Sequence, residues 1–374
     1  MGPLVRFKVL EIEEAAVRQR YLNAIEKVYL HGRFILGPEI AELEDNLCEL
    51  TNRKYCVTVS NGTMSLFIGL LALARQYTNK KEVILPAYGW IASANAIKAA
   101  GLQPVFADID SQFFLSVDSV TALISDNTLA IMPVNFTGRI GSNVWQLDNL
   151  SKKTNIPIIE DCAQAFGAWN SSNPEKKLFS SGSTGKVSCF SINPMKTLSS
   201  HGEGGAILTD DSSIASFARQ YRYQGMESGS YVGLGINARM ETLQAAIVLE
   251  NLSIYEQVID QKREIAFTYD QAFSSYCTIP KEDISEQHTY FSYQILSPWR
   301  DELREFLLDS RIEVQVQHHP LMCDTPAHNK ARRCSLETAK RISNQSLCLP
   351  CHEKMSDEQV QYVIAKTVDF LRNK

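Results

Sequence analysis

The 374-residue chain lacks long hydrophobic runs and an excess of positive charge. No stretch reaches the roughly 18 apolar residues of a membrane-spanning helix, and the first residues contain no apolar run long enough for a signal peptide. With 37 basic and 42 acidic residues the net charge is −5, whereas a nucleic-acid surface normally needs a basic excess or stripe. These absences predict a soluble, cytoplasmic protein that binds neither membrane nor nucleic acid.

Two familiar ligand-binding patterns are also incomplete. The turn Ser60-Asn61-Gly62-Thr63 lacks the lysine and the glycine spacing of a Walker A loop, so we do not expect ATP or GTP hydrolysis. The nine cysteines include Cys348-Leu349-Pro350-Cys351-His352, which matches a c-type haem attachment pattern. Because an export signal and a second paired-cysteine motif are both missing, we expect no haem and no metal, and we predict reduced structural thiols.

Strand-like and helix-like segments alternate along the chain, which is typical of an α/β protein. Seven apolar runs read as strands of the first part, namely 55–59, 83–86, 104–107, 128–134, 156–160, 187–192 and 206–209. Past roughly residue 255 the pattern shifts to a smaller α+β unit, with strands predicted at 290–296 and 312–316. We therefore predict a large domain over residues 1–254, including an N-terminal helix, and a small C-terminal domain over residues 255–374.

A single lysine stands on the loop between the last two of the seven strands. The run 187–192 stops at Asn193-Pro194, Lys196 follows, and the turn Gly202-Glu203-Gly204-Gly205 leads into the next strand. On its own, such a lysine is usually a solvated surface residue. Here Phe190-Ser191, four residues and then the lysine before the glycine-rich turn resemble the DegT/DnrJ/EryC1 sugar aminotransferases. In that family the lysine binds pyridoxal 5′-phosphate (PLP) covalently.

Five further signatures of this family follow in the same order, so that the resemblance extends from about residue 32 to about residue 370. It implies that Lys196 and Asp161 are catalytic, with Asp161 paired to the ring nitrogen of PLP. The residues that it implies for binding PLP are Gly62 and Thr63 at the phosphate, Trp90 on one face of the ring, Asp161, Gln164 at the phenolic oxygen, Ser191, Lys196, and Asn237 at the phosphate in the neighbouring subunit's site.

Each of these signatures also has a plainer interpretation. The Gly62-Thr63 turn is common without any ligand, and Trp90 is equally typical of a hydrophobic core. Asp161 and Asn237 occupy positions where helix caps often stand. The sequence also departs from the family pattern at two positions. Gly89 replaces a threonine, and Gln317 stands where a histidine is usual, with His318 beside it.

The resemblance as a whole implies a fold-type-I PLP enzyme. Its large domain would contain a mostly parallel seven-stranded sheet flanked by helices, its small C-terminal domain would be α+β, and two chains would form a homodimer with sites at the interface. The implied activity moves an amino group from L-glutamate to a keto-sugar, a nucleotide-linked 3- or 4-keto-(6-deoxy)hexose, in amino-sugar biosynthesis. Lys196 argues against the branch that dehydrates sugars, since that branch carries histidine there.

Three alternatives remain open on the sequence. One is a glutamine-dependent aminotransferase of a cyclitol or another unactivated keto-sugar. The second is a regulatory relative that binds PLP without turnover. The third is an α/β scaffold with no enzymatic activity.

Overall fold

The computed structural model describes residues 4–175 and 178–374. The strands in this part of the chain are β1 Tyr55–Val59, β2 Glu82–Pro86, β3 Gln103–Ala107, β4 Thr128–Ile131, β5 Ile159–Asp161, β6 Trp169–Asn170, β7 Phe179–Ser180, β8 Val187–Ser191, β9 Gly205–Thr209, β10 Met226–Glu227, β11 Ser230–Tyr231, β12 Glu286–Gln287, β13 Tyr293–Leu296 and β14 Ser346–Leu349. The α-helices are α1 Ala15–His31, α2 Pro38–Thr51, α3 Gly62–Gln76, α4 Ala92–Ala99, α5 Val117–Leu123, α6 Val144–Thr154, α7 Ser212–Tyr221, α8 Thr242–Leu252, α9 Tyr255–Phe273, α10 Arg300–Asp309, α11 Glu337–Gln345 and α12 Asp357–Arg372.

Seven strands form the central sheet in the order β3-β2-β4-β5-β8-β9-β1. The strands form two hydrogen-bonded groups, β3-β2-β4 and β1-β9-β8-β5. Two isolated parallel bridges, Ile131 to Ile158 and Val134 to Asp161, join β4 and the residues just beyond it to β5 and the residue before it. All neighbouring pairs are parallel except those of β9, which runs antiparallel to both β8 and β1. The predicted mostly parallel seven-stranded sheet is therefore confirmed.

The strands of this sheet are apolar and almost continuously buried, which is expected when helices cover both faces. Helix α3 packs on β8 and β9, and α4 packs on α3. The carboxyl ends of β5 and β8, at Asp161 and Ser191, are where open α/β sheets bind ligands.

The C-terminal part has its own hydrophobic cluster around the antiparallel pair β13 and β14, packed by α9, α10 and α12. Val5 from the start of the chain belongs to this cluster. Conversely, Leu336, Ala339 and Ile342 of the C-terminal part pack into the core of the central sheet. The boundary between residues 254 and 255 stays a prediction, and these contacts cross it in both directions.

Two predicted elements differ from the structure. The amphipathic spacing of residues 241–273 predicts one long run, but the structure has two helices, because α8 ends at Leu252 and a turn from Asn251 to Ile254 precedes α9. The segment 312–316 is not a strand, because it meets Val5 and Cys348 only at isolated bridges. Helix α5, helix α11 and strand β14 were not predicted; each spans only four to nine residues.

Two findings concern the membrane proteins and metal-binding proteins that were considered in the sequence analysis. Among residues 4–175 and 178–374, no helix is long and apolar enough to cross a membrane. Within the same residues, no group of three or more His, Cys, Asp or Glu side chains is arranged to hold a metal ion.

Candidate active site

Lys196 lies on a loop that is fixed at both ends by β8 and β9. The backbone N–H of Lys196 donates to the carbonyl of Asn193 at 2.9 Å, and the side chain of Asn193 donates to Glu203 at 2.8 Å. The amino group of Lys196 lies 4.7 Å from the ring centroid of Phe291 and forms no hydrogen bond or ion pair with the described residues. Burial lowers the pKa of Lys196, while the charges of Asp161 and Glu203 oppose this shift.

Asp161 ends β5 and is 4% exposed. Its Oδ2 accepts a hydrogen bond from the Ser93 hydroxyl at 2.7 Å, and its Oδ1 accepts from the backbone N–H of Ala163 at 3.1 Å. Burial raises the pKa of Asp161, and these two hydrogen bonds together with the charge of Lys196 oppose the rise. No helix begins between β5 and β6, residues that are all described, so the helix-cap interpretation of Asp161 is wrong.

Gln164 is buried three residues beyond Asp161. Its Oε1 accepts a hydrogen bond from the backbone N–H of Thr137 at 2.9 Å. Because the oxygen is used in this way, the side-chain NH2 group is the part of Gln164 that remains to donate to a ligand. This polarity suits a ligand oxygen that carries lone pairs.

The start of α3 packs closely against the end of β8 and the start of β9. A Cβ atom on Gly62 would lie 2.5 Å from the Cβ of Ser191, and one on Gly205 would lie 2.5 Å from the carbonyl oxygen of Asn61. Asn61 caps the helix through a hydrogen bond from the N–H of Met64 at 2.9 Å. The first N–H groups of a helix have no intrahelical acceptor, and the helix dipole favours an anion there. This close approach places the start of α3 beside the side chain of Ser191.

Comparison with known proteins identifies the family. The DegT/DnrJ/EryC1/StrS aminotransferase family matches residues 16–368. The chain belongs to this family. The UDP-2-acetamido-2-deoxy-3-oxo-D-glucuronate aminotransferase of Pseudomonas aeruginosa is 30% identical over 97% of this chain and 99% of its own length. A pleiotropic regulatory protein of Geobacillus stearothermophilus is 30% identical over 96% of both chains.

A solved structure supports the same assignment. The crystal structure of NtdA from Bacillus subtilis with bound cofactor PMP superimposes with a TM-score of 0.86 at 25% identity, covering 98% of this chain and 86% of that one. Together with the sheet order described above, this similarity confirms the predicted fold-type-I architecture of the aminotransferase family.

The loop after β2 carries both Trp90 and one departure from the family pattern. Trp90 is 64% exposed in the single chain, so the core interpretation of this tryptophan is wrong. At the neighbouring Gly89, where the family usually has threonine, a Cβ atom would lie 2.7 Å from the ring of Phe136 and 3.1 Å from Met322. The space of the missing side chain is therefore filled by the chain itself.

Asn237 forms no hydrogen bond with the other predicted site residues of the described chain, but its neighbour Ala238 accepts one from the N–H of Ser60 at 2.8 Å. Asn237 is exposed, and its side-chain oxygen accepts a hydrogen bond from Arg239 Nε at 3.1 Å. The residue that caps α8 is Glu241, so the helix-cap interpretation of Asn237 is wrong. Within the described part of one chain, Asn237 has no recorded contact with Lys196, Asp161 or Gly62.

Ser93, Phe291 and His318 lie in this aminotransferase site without having been predicted there. The His318 ring packs against those of Tyr88 and Phe136, with centroids 5.0 and 5.3 Å away, and both of its nitrogens are buried without a hydrogen-bond partner in the described chain. Burial, and then the charge of Lys196, lower the pKa of His318 to about 4. The departure at Gln317 was the only sequence signal that pointed to this segment.

Proposed function

We propose that the chain is a PLP-dependent aminotransferase that moves an amino group from L-glutamate to a nucleotide-linked keto-sugar. The observation that carries the proposal is that the unbonded amino group of Lys196, on the loop after β8, lies close enough to the buried carboxyl of Asp161, at the end of the neighbouring β5, for their charges to interact. The Pseudomonas relative, whose name specifies a UDP-linked 3-oxo sugar acid, supports the substrate class.

The residues present fit PLP. The cradle formed by Gly62, Thr63 and Ser191 suits a phosphate, because N–H groups, a hydroxyl and a helix dipole converge there without a bulky side chain. Asp161 suits a protonated ring nitrogen, and the NH2 group of Gln164 suits the phenolic oxygen. When bound, PLP supplies the electron sink that stabilises the charge left after a proton leaves the substrate carbon.

The remaining chemistry belongs to the protein's own side chains. Lys196 holds the cofactor and, once released, moves a proton at the substrate carbon. This step needs a neutral amine, and because its pKa is lowered, Lys196 is neutral at a lower pH than an ordinary lysine. Asp161 would hold a negative charge at the ring nitrogen, and Ser93 positions that carboxylate. Trp90, whose indole is exposed, would cover one face of the ring.

We further propose that the enzyme is a homodimer with shared sites and acts in the cytoplasm. Several large apolar side chains are exposed in the single chain, among them Leu30 at 83%, Tyr231 at 74% and Leu234 at 90%. Exposed apolar patches of this kind mark interfaces. Tyr231 and Leu234 precede Asn237, which supports a role for Asn237 in the partner's site. All nine cysteines are free thiols, which suits a reducing compartment.

A half-reaction assay tests this function. Glutamate added to the PLP-loaded protein should convert it to the amino form, seen as the loss of its visible absorbance, and release 2-oxoglutarate. A panel of UDP-, dTDP- and GDP-linked 3- and 4-keto-sugars should then restore the absorbance with one acceptor. Loss of absorbance with glutamine and recovery with an unactivated keto-sugar would favour the cyclitol-type alternative.

A second candidate function is that of a regulatory protein. The regulatory relative from Geobacillus supports it, since its sequence identity to this chain equals that of the Pseudomonas enzyme. That candidate binds PLP through the same residues without turnover. Absorbance that neither glutamate nor glutamine changes would support it and contradict the proposed transfer. A protein that takes up no PLP would contradict both.

A further inference from the structure

A second lysine lies beside Lys196, contributed by the start of the chain. The amino group of Lys8 donates to the backbone carbonyl of Met195, the residue before Lys196. The same amino group lies 5.6 Å from the ring centroid of Phe291, and that of Lys196 lies 4.7 Å from it. Two lysine amino groups from distant parts of the sequence therefore lie near one aromatic ring at the active site.

The surroundings of Lys8 contain more positive than negative charge. Lys262 of α9 is 3% exposed, acts on Lys8 through its charge and forms no hydrogen bond or ion pair through its amino group with the described residues. Glu353 is the carboxylate that favours the charged form of both lysines. His352 also faces Lys8, and burial lowers its pKa. Buried charges are costly unless they are paired, so this arrangement favours an added anion.

The place where such an anion would bind, beside Lys196, points to a substrate. Lys8 contacts Met195 and Phe291 but has no recorded contact with Gly62 or Ser191, which form the phosphate cradle. An amino-acid donor carries a carboxylate on the carbon that bears its reacting nitrogen, and sugar acids carry one on the ring. We propose that Lys8 binds a carboxylate of a substrate, an inference that rests on the proposed aminotransferase function and names the chemistry of its substrate site.

The charge of Lys8 should make this binding depend on pH. Burial, then Lys262 and Lys196, lower its pKa to about 7, and Glu353 opposes the shift. A carboxylate ligand favours the ammonium form, so binding is strongest below pH 7 and weakens as the pH rises above it. Lys196 and Lys262 titrate nearby, and therefore the pH dependence must be assigned with variants of Lys8 itself.

Competitive acylation tests the binding without turnover. The PLP-loaded enzyme is treated with trace acetic anhydride at several pH values, and modification of Lys8 is measured by peptide mass spectrometry, with exposed Lys153 as the internal reference. Lys8 should react at a lower pH than Lys153. Succinate, as a probe for the donor, or UDP-glucuronate, as a probe for a sugar acid, should protect Lys8 but not Lys153. Equal protection by sodium chloride at matched ionic strength would overturn the proposal.

Kinetics of matched variants test it in turnover and separate the two sources of the carboxylate. Lys8→Met should raise the KM of the carboxylate substrate about ten- to hundredfold, the loss of one hydrogen bond to a charged group, while kcat changes much less. Lys8→Arg should keep most of the affinity, and Lys153→Met should behave as wild type. A change in the KM of glutamate alone assigns the donor, and a change only for acidic keto-sugars assigns the acceptor.

The failure of this inference and that of the proposed function give different results. If Lys8→Met and wild type share the same KM for glutamate and for acidic keto-sugars, the Lys8 proposal is wrong and the aminotransferase stands. If the wild-type enzyme transfers no amino group while succinate or UDP-glucuronate still protects Lys8, the function is wrong and the carboxylate site stands. Unchanged PLP absorbance and thermal unfolding in Lys8→Met and Lys8→Arg establish that the variants are folded.

Discussion

The two sides of Lys196 are built differently. On one side, Asp161 and Gln164 have their side-chain oxygens bonded to Ser93 and Thr137. Short residues and backbone groups dominate there, including the glycine at the start of α3. We call this the cofactor side. Because its polar groups are already paired or fixed by the backbone, it is shaped for one ligand of constant chemistry.

The other side, which we call the substrate side, consists of Lys8, Phe291, Gln317 and His318. Both nitrogens of His318 and the side-chain oxygen of Gln317 are buried without a partner in the described chain. Among the described residues, the amino group of Lys8 donates to a backbone carbonyl and lies over the ring of Phe291. Unpaired buried polar groups cost free energy, and a substrate that pairs with them recovers it as specificity.

The largest expected effect is that of Lys196→Ala, which should abolish amino transfer and leave PLP bound non-covalently on the cofactor side. Borohydride reduction of the wild-type enzyme followed by peptide mapping should place the pyridoxyl label on Lys196. Lys8 is the informative competitor, since its pKa is also lowered and it lies beside the same ring. A label on Lys8 in the wild type would break the division between the two sides.

The residues that the resemblance implies for the cofactor side could be named from the sequence because they lie within short, ordered motifs. Asp161 directly follows one run of apolar residues and Lys196 stands on the loop after another, and such runs identify strands and hence the edge of the sheet. Ser93 was missed because its partner Asp161 is 68 positions away and no local pattern links them.

The substrate side could not be predicted, since it joins residues from opposite ends of the chain. Lys8 meets Met195 across 187 positions, and Phe291 and His318 come from the C-terminal part. A lysine within the otherwise apolar segment 7–10 was the one available signal for Lys8. The central sheet itself was predictable because buried parallel strands are continuous apolar runs.

A mixing experiment tests whether the cofactor side is completed by the partner subunit. Asn237→Asp should inactivate the enzyme by setting a carboxylate against the phosphate, and Lys196→Ala inactivates it separately. If each site takes its lysine from one chain and its asparagine from the other, a mixed dimer has one doubly damaged and one intact site. Random exchange makes about half of the dimers mixed, so roughly a quarter of the wild-type activity per site should return. No return, with exchange verified by mass, would place Asn237 in its own chain's site.

Asp161→Asn should lower the rate of the glutamate half-reaction by about 10²–10³-fold, since a preorganised electrostatic contact of this kind is worth several kcal/mol. The amide keeps the size of the side chain and its ability to accept from Ser93 but loses the negative charge at the ring nitrogen. Stopped-flow absorbance measures the rate. A half-reaction close to that of wild type would remove Asp161 from the chemistry and leave the cofactor side without its main charge.

His318→Phe tests the substrate side. The ring stays between Tyr88 and Phe136, but the two unpaired nitrogens are lost, so the KM of the keto-sugar should rise by up to about tenfold. The absorbance of bound PLP and the half-reaction with glutamate should remain as in wild type. Because the pKa of His318 is about 4, the imidazole is neutral at ordinary assay pH, and its titration should not appear between pH 6 and 9. A changed PLP spectrum would assign His318 to the cofactor side instead.

The smallest effect is expected for Ser93→Ala, which removes the hydroxyl that donates to Asp161 at 2.7 Å. The bond favours the carboxylate, so its loss should raise the pKa of Asp161 further. Activity that requires the carboxylate is lost as the pH falls through this pKa, and therefore the acid limb of the rate profile should move to higher pH. Near neutral pH the rate should fall by about tenfold or less.

A double-mutant cycle decides whether Ser93 acts through Asp161. In the Asp161→Asn background no carboxylate remains to titrate, so Ser93→Ala should neither move the acid limb nor add its full loss of rate. Fully additive losses, with the acid limb unmoved in the single variant, would mean that Ser93 serves only the packing of α4.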